Sequence, residues 1–316
     1  MKIALLDDYQ GVALSLADWA SIPGGEVESF RDHVTDIESL VECLHPFECI
    51  VAMRERTPLR EAVLSRLPNL KLLITTGSRN PVLDIAYAQS KGITVCNTGG
   101  DSASTVELTW ALILAAVRNL PFEDASMRRG NWQTTIGPTL EGKTLGCVGL
   151  GNLGGRVAKI GQAFGMNVIA WSTNLTAERC AEIGARLVSK QELMSTADVI
   201  TVHLVLSDRS RNILDAPDLA LMKRDAYLVN TSRGPLIKEA ALLDTLQNHR
   251  IAGAALDVYD EEPLPSNHPL RDLDNVVLSP HLGYVTSDNF RGFFSAVVED
   301  VVAFQKGAPI RVLPSA

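Results

Sequence analysis

Residues 143–156, KTLGCVGLGNLGGR, restrict what this chain can fold into more than any other stretch. Residues 144–148 are an apolar run of strand length with a β-branched residue at each end. Gly149, Gly151 and Gly154 then form G-x-G-x-x-G, and helical spacing follows through Val157, Ile160 and Phe164. The first glycine permits a tight turn, the second lets a pyrophosphate approach the backbone, and the third lets helix and strand pack closely. The phosphates would lie at a helix N-terminus, where free N–H groups and the dipole favour negative charge. Glycines at this spacing arise by chance in many proteins. Strand, glycines and helix in this order predict a dinucleotide site.

At about 150 residues per domain, 316 residues predict two domains. Strands are expected at 2–6, 48–53, 70–75 and 93–96, with helices at 37–44 and 59–67. This alternation implies a parallel α/β sheet without a glycine fingerprint, on the substrate side. A long helix, apolar on nearly all sides, runs from a cap at Asp101 or Ser102 to about Arg118; it is expected to lie buried between domains or subunits. A second helix begins at Pro121 and ends near Gly130. Further strands are expected at 144–148, 167–171, 199–202, 227–230, 252–256 and 276–278, as a doubly wound sheet requires. A helix at 287–305 follows, and a strand-like segment at 310–313 is free to return to the first domain.

Hydrophobic residues make up 46% of the chain, ample for two cores, and the formal charge of −8 argues against a nucleic-acid or acidic-membrane partner. Five cysteines fall in no metal-ligand spacing, so no metal is expected. Cys96 and Cys147 lie in apolar runs, as buried thiols of a reducing compartment do. The longest apolar run, 110–117, is far short of the ~20 residues that span a bilayer. The opening MKIALLDDYQ meets acidic residues too early for a signal peptide, and a cytoplasmic location is the expectation.

An NAD site usually carries an acidic residue about 20 positions beyond the glycines, on the adenosine ribose. That position is Ser172, so nothing repels a 2′-phosphate. Ser172, Thr173 and Asn174 can bond one, but no arginine is adjacent, Arg179 being the nearest. NAD and NADP both stay open. Three ionisable groups stand at other strand ends: Arg233 in LVNTSRGPL, Asp257 and Glu262 in AALDVYDEEPLP, and His281 in LSPHLGY. Ligands of open α/β sheets bind at the carboxyl ends of strands, so these groups are expected to converge on the crevice that holds the pyrophosphate. Arg233 offers a planar fork to a carboxylate and an adjacent carbonyl. His281 can exchange a proton with the oxygen while hydride moves at carbon. Glu262 would orient the imidazole and favour its charged form, and Asp257 is placed to accept from a nicotinamide carboxamide.

With these motifs the sequence resembles the D-isomer-specific 2-hydroxyacid dehydrogenase family along nearly its whole length. The carrying stretches are GKTLGCVGLGNLGGRVAKIGQAFGMNVIAW, LVNTSRGPLI, AALDVYDEEPLP and LSPHLGY, with GITVCNTGGDSASTVELT before the long helix. The resemblance implies two doubly wound parallel-sheet domains. A Rossmann-type NAD(P) domain, 101–286, would be inserted in a flavodoxin-like catalytic domain, 1–100 plus 287–316. It implies Arg233, Glu262 and His281 as the catalytic set, acting on a small 2-hydroxy or 2-keto acid, usually in a homodimer formed through the cofactor domains. It assigns Ser78, Gly149, Gly151, Asn152, Leu153, Gly154, Ser172, Leu204, Thr231, Ser232, Asp257 and Gly283 to NAD or NADP.

Departures from the family fall on the substrate side. TTGSRNP replaces a glycine-rich loop and puts Arg79 beside Gly77 and Ser78, whose backbone nest remains able to bind a carboxylate. MRERTPL keeps Arg54, which can reach an anionic tail, but Glu55 disfavours a phosphorylated one. Tyr284 stands where a glycine is common and is expected to line the pocket. Formate-oxidising relatives lack a Glu–His pair, so Glu262 and His281 argue against that activity. The alternative of another class is a dinucleotide-sensing scaffold resembling the corepressors of this fold.

Overall fold

Most strands of this protein are short runs with almost no polar alternation, such as CIVA and LLIT, and such runs form parallel sheets covered on both faces. A computed structural model describes residues 1–314 and divides the chain into two units, Met1–Asp101 with the chain from Val285 onward, and Ser102–Tyr284.

In the first unit, β1 (Lys2–Leu5), β2 (Glu26–Ser29), β3 (Cys49–Ala52), β4 (Leu72–Thr75) and β5 (Thr94–Asn97) are parallel, in the order β2-β1-β3-β4-β5. This is the flavodoxin-like order, with its switch point between β1 and β3. β2 was not foreseen. Its sequence, EVES, has three polar residues in four because it closes one edge of the sheet, where exposed charge blocks further pairing. The helices are α1 (Ile37–Leu44), α2 (Glu61–Leu64) and α3 (Ile85–Ser90). Asp36 caps α1 by accepting from the Ser39 amide, whereas α2 is much shorter than the span 59–67. The 310–313 segment does return: Leu313 N–H donates to Val95 O at 2.8 Å, but only a bridge to Cys96 forms rather than a strand.

In the second unit, α4 (Ala103–Val117) and α5 (Leu120–Arg128) precede the elements β6 (Thr144–Val148), α6 (Asn152–Ala163), β7 (Asn167–Trp171), α7 (Ala177–Ile183), β8 (Arg186–Leu187), α8 (Lys190–Thr196), β9 (Val199–Val202), α9 (Ala216–Leu219), β10 (Tyr227–Asn230), α10 (Glu239–Gln247), β11 (Gly253–Leu256) and β12 (Val276–Leu278). The parallel order is β12-β11-β10-β9-β6-β7-β8, so the order in which strands are added reverses at β6. Neighbouring residues of one strand serve opposite cores. Val199, Val229 and Ala255 pack with α4 and α6, while Ile200, Leu228 and Ala254 face the side of α8 and α10. The period-two geometry of a strand therefore explains why both sets are apolar. The buried face of α4 packs on β10, β11, β12 and α6 of its own unit. Back in the first unit, α11 (Ser287–Gln305), capped by Thr286, lays Phe290, Phe293 and Phe294 into the core and packs on β4.

Candidate active site

The glycine loop follows β6, the strand at which the strand order reverses, and this is where open α/β sheets hold ligands. Gly149 adopts φ +98°, and a Cβ there would lie 2.8 Å from the His203 carbonyl oxygen. Gly151 has open space where a Cβ would project, and a Cβ on Gly154 would overlap the Gly149 carbonyl oxygen. No side chain caps the 12-residue α6, so its first-turn amides are left to a ligand. The cradle therefore fits a pyrophosphate. Asn152 Nδ2 and Arg156 Nη1 both donate to Ser102 Oγ, at 3.3 and 2.8 Å, tying the start of α4 to the start of α6.

At the adenosine end, Gly149 N–H donates to Trp171 O at 2.8 Å, which sets Ser172 level with the glycine loop. Thr176, rather than Ser172, caps α7 by accepting from the Arg179 amide. Arg179, the nearest arginine in sequence, folds its side chain back over the loop. Nε donates to Leu150 O at 3.2 Å and Nη2 to Gly151 O at 3.4 Å.

β10, β11 and β12 are adjacent and parallel, with Asn230, Leu256 and Leu278 in register. Arg233, Asp257, Glu262 and His281 thus leave one edge of the sheet together. His281 Nδ1 and Glu262 Oε2 are 2.5 Å apart, and the other Glu262 oxygen accepts the Tyr259 amide at 2.9 Å. With Nδ1 engaged, Nε2 is the nitrogen left for a substrate. His281 holds φ +53°, a left-handed conformation that costs an L-residue about 1 kcal/mol. Asp257 sustains it. Fully buried, its carboxylate accepts from Ser279 Oγ at 2.6 Å, Leu282 N at 2.7 Å and Gly283 N at 2.9 Å, gripping both sides of the histidine. Burial pushes the Asp257 carboxyl above its ordinary range, and the Ser279 hydroxyl, the two amides and His281 pull it back.

The loops after β10 and β11 touch backbone to backbone, because a Cβ on Gly234 would overlap the Tyr259 carbonyl. Ser232 Oγ donates to Leu204 O at 2.6 Å, and Asn230 Nδ2 donates to the Arg233 carbonyl at 2.9 Å. Thr231 Oγ1 lies 2.8 Å from Thr109 Oγ1, while Thr105 Oγ1 donates to Gly283 O at 2.8 Å. The expected residues Leu204, Thr231, Ser232, Asp257 and Gly283 are thereby linked to one another. Tyr284 is buried edge-on against the His281 ring, centroids 5.4 Å apart. The sequence reading missed Gly234, Tyr259, Ser279 and His203. The Gly-Pro pair of RGPL marks a turn but says nothing of the backbone it meets. His203 bonds Thr201 Oγ1 through Nε2 at 2.9 Å, and burial lowers its pKa to about 4, so it stays neutral.

The first unit brings Arg54, Gly77, Ser78 and Arg79 to the ends of β3 and β4. Arg54 donates from its amide to Thr76 Oγ1 at 2.9 Å, and its Nε stands 3.7 Å from Glu55 Oε2, both side chains largely buried. Gly77 has φ +85°, and a Cβ there would overlap the Arg54 guanidinium. Ser78 and Arg79 are exposed.

The family model for the D-isomer specific 2-hydroxyacid dehydrogenase, NAD binding domain, matches residues 110–283. A glyoxylate reductase of Aeropyrum pernix is 40% identical over 78% of this chain and 76% of that protein. A D-3-phosphoglycerate dehydrogenase of Archaeoglobus fulgidus is 37% identical over 87% of this chain and 52% of that protein. This chain spans about half the length of this and two further D-3-phosphoglycerate dehydrogenases, of Bacillus subtilis and Methanocaldococcus jannaschii, that it matches. Among solved structures, a phosphoglycerate oxidoreductase from Vibrio cholerae superposes with a TM-score of 0.94 at 42% identity, over 98% of this chain and 100% of that one.

Proposed function

Because the chain belongs to the D-isomer specific 2-hydroxyacid dehydrogenase family, we propose that Arg233, Glu262 and His281 are its catalytic set and that it interconverts short, unphosphorylated 2-keto acids and D-2-hydroxy acids. It is a nicotinamide-dependent enzyme of that class. When bound, the nicotinamide cofactor supplies or accepts the hydride at the substrate carbon. His281 gives its Nε2 proton to the carbonyl oxygen in reduction and takes the hydroxyl proton in oxidation. Glu262 keeps the imidazole oriented through its bond to Nδ1. Arg233 grips the substrate carboxylate and the neighbouring oxygen through two parallel N–H groups. The amides from Gly149 through Gly154 hold the pyrophosphate, Ser172 meets the ribose, and Leu204, Thr231, Ser232, Asp257 and Gly283 hold the nicotinamide half, with Ser78 as a further contact. Arg54, Gly77, Ser78, Arg79 and Tyr284 act on the substrate.

The observation that carries this reading is the 2.5 Å Glu262–His281 bond, which joins the loops after β11 and β12 on the same sheet edge as the β10 loop that delivers Arg233. Glu55, 3.7 Å from Arg54, offsets the charge a phosphate would need, and this favours an unphosphorylated tail. The test is turnover of glyoxylate, hydroxypyruvate, pyruvate and 3-phosphohydroxypyruvate with NADH and NADPH. One of the first three should exceed the phosphorylated acid in kcat/KM by about tenfold or more, the equivalent of ~1.4 kcal/mol. A preference for the phosphorylated acid overturns the substrate reading. Cofactor binding without any turnover favours the sensing scaffold instead.

A homodimer is part of the same reading. Leu120 is 60% exposed, Met127 62%, Trp132 73% and Ile136 99%, all within one stretch of the second unit. So much exposed apolar surface over 17 positions calls for a cover, and a second copy supplies it. Burying each such side chain contributes roughly 1.5–3 kcal/mol. Sedimentation should therefore find a dimer, and Trp132→Glu with Ile136→Glu should weaken it by at least about 10³-fold. A monomeric wild-type chain at micromolar concentration rejects the dimer.

A further inference from the structure

We propose that this enzyme prefers NADP(H) over NAD(H), and that Arg179 together with Ser172, Thr173 and Asn174 forms the seat for the 2′-phosphate of the adenosine ribose. The inference rests on the reading of Gly149–Gly154 as a dinucleotide cradle and adds which dinucleotide it selects.

The placement follows from the sheet. β7 lies beside β6 with Trp171 opposite Val148, and the Gly149–Trp171 bond brings the residue after β7 level with the first glycine. A ribose attached to a pyrophosphate on α6 reaches this point. A carboxylate here would accept both ribose hydroxyls and repel a phosphate. The hydroxyl of Ser172 does neither. NAD(H) thus loses its usual pair of acceptors, and NADP(H) meets no like charge.

The cation is supplied from seven residues further on, a distance that hides it in the sequence. The turn at Ser172–Leu175 and the cap at Thr176 start α7 so that Arg179 falls on its first turn. From there the guanidinium lies along the glycine loop, bonded to the carbonyls of Leu150 and Gly151, with Nη2 3.3 Å from where a Cβ of Gly155 would stand. These bonds fix the orientation of a long side chain before any ligand arrives, which lowers the ordering cost of binding. A guanidinium has five N–H groups. Three are engaged by Leu150 O, Gly151 O and Glu182, and the other two, one on each terminal nitrogen, would donate to a 2′-phosphate. Glu182 is the carboxylate within ion-pair distance, at 2.9 Å; it is mostly exposed, so water screens its competition with a phosphate. Thr173 and Asn174 are exposed on the same turn and add neutral donors.

A purely structural role for Arg179, clamping α7 to the glycine loop, makes a different prediction, and binding assays separate the two. The probes are NADPH, NADH, 2′,5′-ADP and 5′-ADP, titrated calorimetrically against the full chain without substrate. The wild-type chain should bind NADPH at least about tenfold more tightly than NADH, and 2′,5′-ADP more tightly than 5′-ADP. Removing a charge-assisted contact costs roughly 10- to 100-fold. Arg179→Ala should weaken NADPH and 2′,5′-ADP by that factor and leave NADH within about threefold. Ser172→Asp, which leaves Arg179 and its clamp intact, should invert the preference. Equal loss for all four ligands in Arg179→Ala, or a wild-type chain that binds NADH as tightly as NADPH, overturns the proposal. Failure to bind either dinucleotide overturns the cradle as well, so the two failures are told apart.

Discussion

His281→Ala lowers kcat by about 10²- to 10⁴-fold, the usual contribution of a positioned acid or base, and leaves dinucleotide affinity within about threefold. The selectivity of that loss follows from what holds the loop. Leu282 and Gly283 are fixed by the buried Asp257 carboxylate, Ser279 is bonded to the same group, and Thr105 holds the Gly283 carbonyl. None of these bonds involves the imidazole. The left-handed backbone at φ +53° strains alanine as it does other L-residues, but the Asp257 bonds that hold it remain, so the variant should keep its fold. Glu262 loses its partner but retains the Tyr259 amide. Stopped-flow reduction of the preferred keto acid measures the effect, with cofactor titration as the control. A rate within tenfold of wild type removes His281 from proton transfer.

Arg233→Ala should reduce kcat/KM by about 10²- to 10⁴-fold, because two charge-assisted bonds of ~1.5–3 kcal/mol each disappear together. Arg233→Lys should recover little of it, since an ammonium is a point charge without the planar fork. The loop itself survives the change. Asn230 bonds the Arg233 carbonyl, and Gly234 packs on the Tyr259 backbone, and neither of these contacts uses the arginine side chain. Added guanidinium should partly restore the alanine variant and not the wild type. Kinetics within fivefold of wild type for Arg233→Ala would show that the substrate carboxylate is held elsewhere.

The most readable parts of the sequence were those in which one segment carries both the signal and its consequence. The β6 strand, three glycines and α6 are contiguous, and each glycine meets the constraint its position implies. The helix over Ile37–Leu44 carries its own cap in Asp36. Arg233, Asp257, Glu262 and His281 were visible because they stand just beyond apolar runs of strand length. Polar edges were not readable: EVES and the two-residue β8, Arg186–Leu187, have no apolar pattern because solvent reaches them. Contacts between distant segments escaped for another reason. Nothing near Arg179 announces that its guanidinium meets Leu150 and Gly151. Gly234 looks like any turn glycine until the Tyr259 carbonyl is seen beside it. Asp257 was expected to face a ligand, yet three of its hydrogen bonds go to the protein, because burial demands donors from whatever lies nearest.

The division of the chain has an effect on its birth. The first 101 residues leave the ribosome with β4 still lacking α11, which follows only after the second unit has been made. Residues 102–284 are complete once emerged, so the later-made unit can close first. The earlier-made unit waits for α11, with the apolar side of β4 that this helix covers still open.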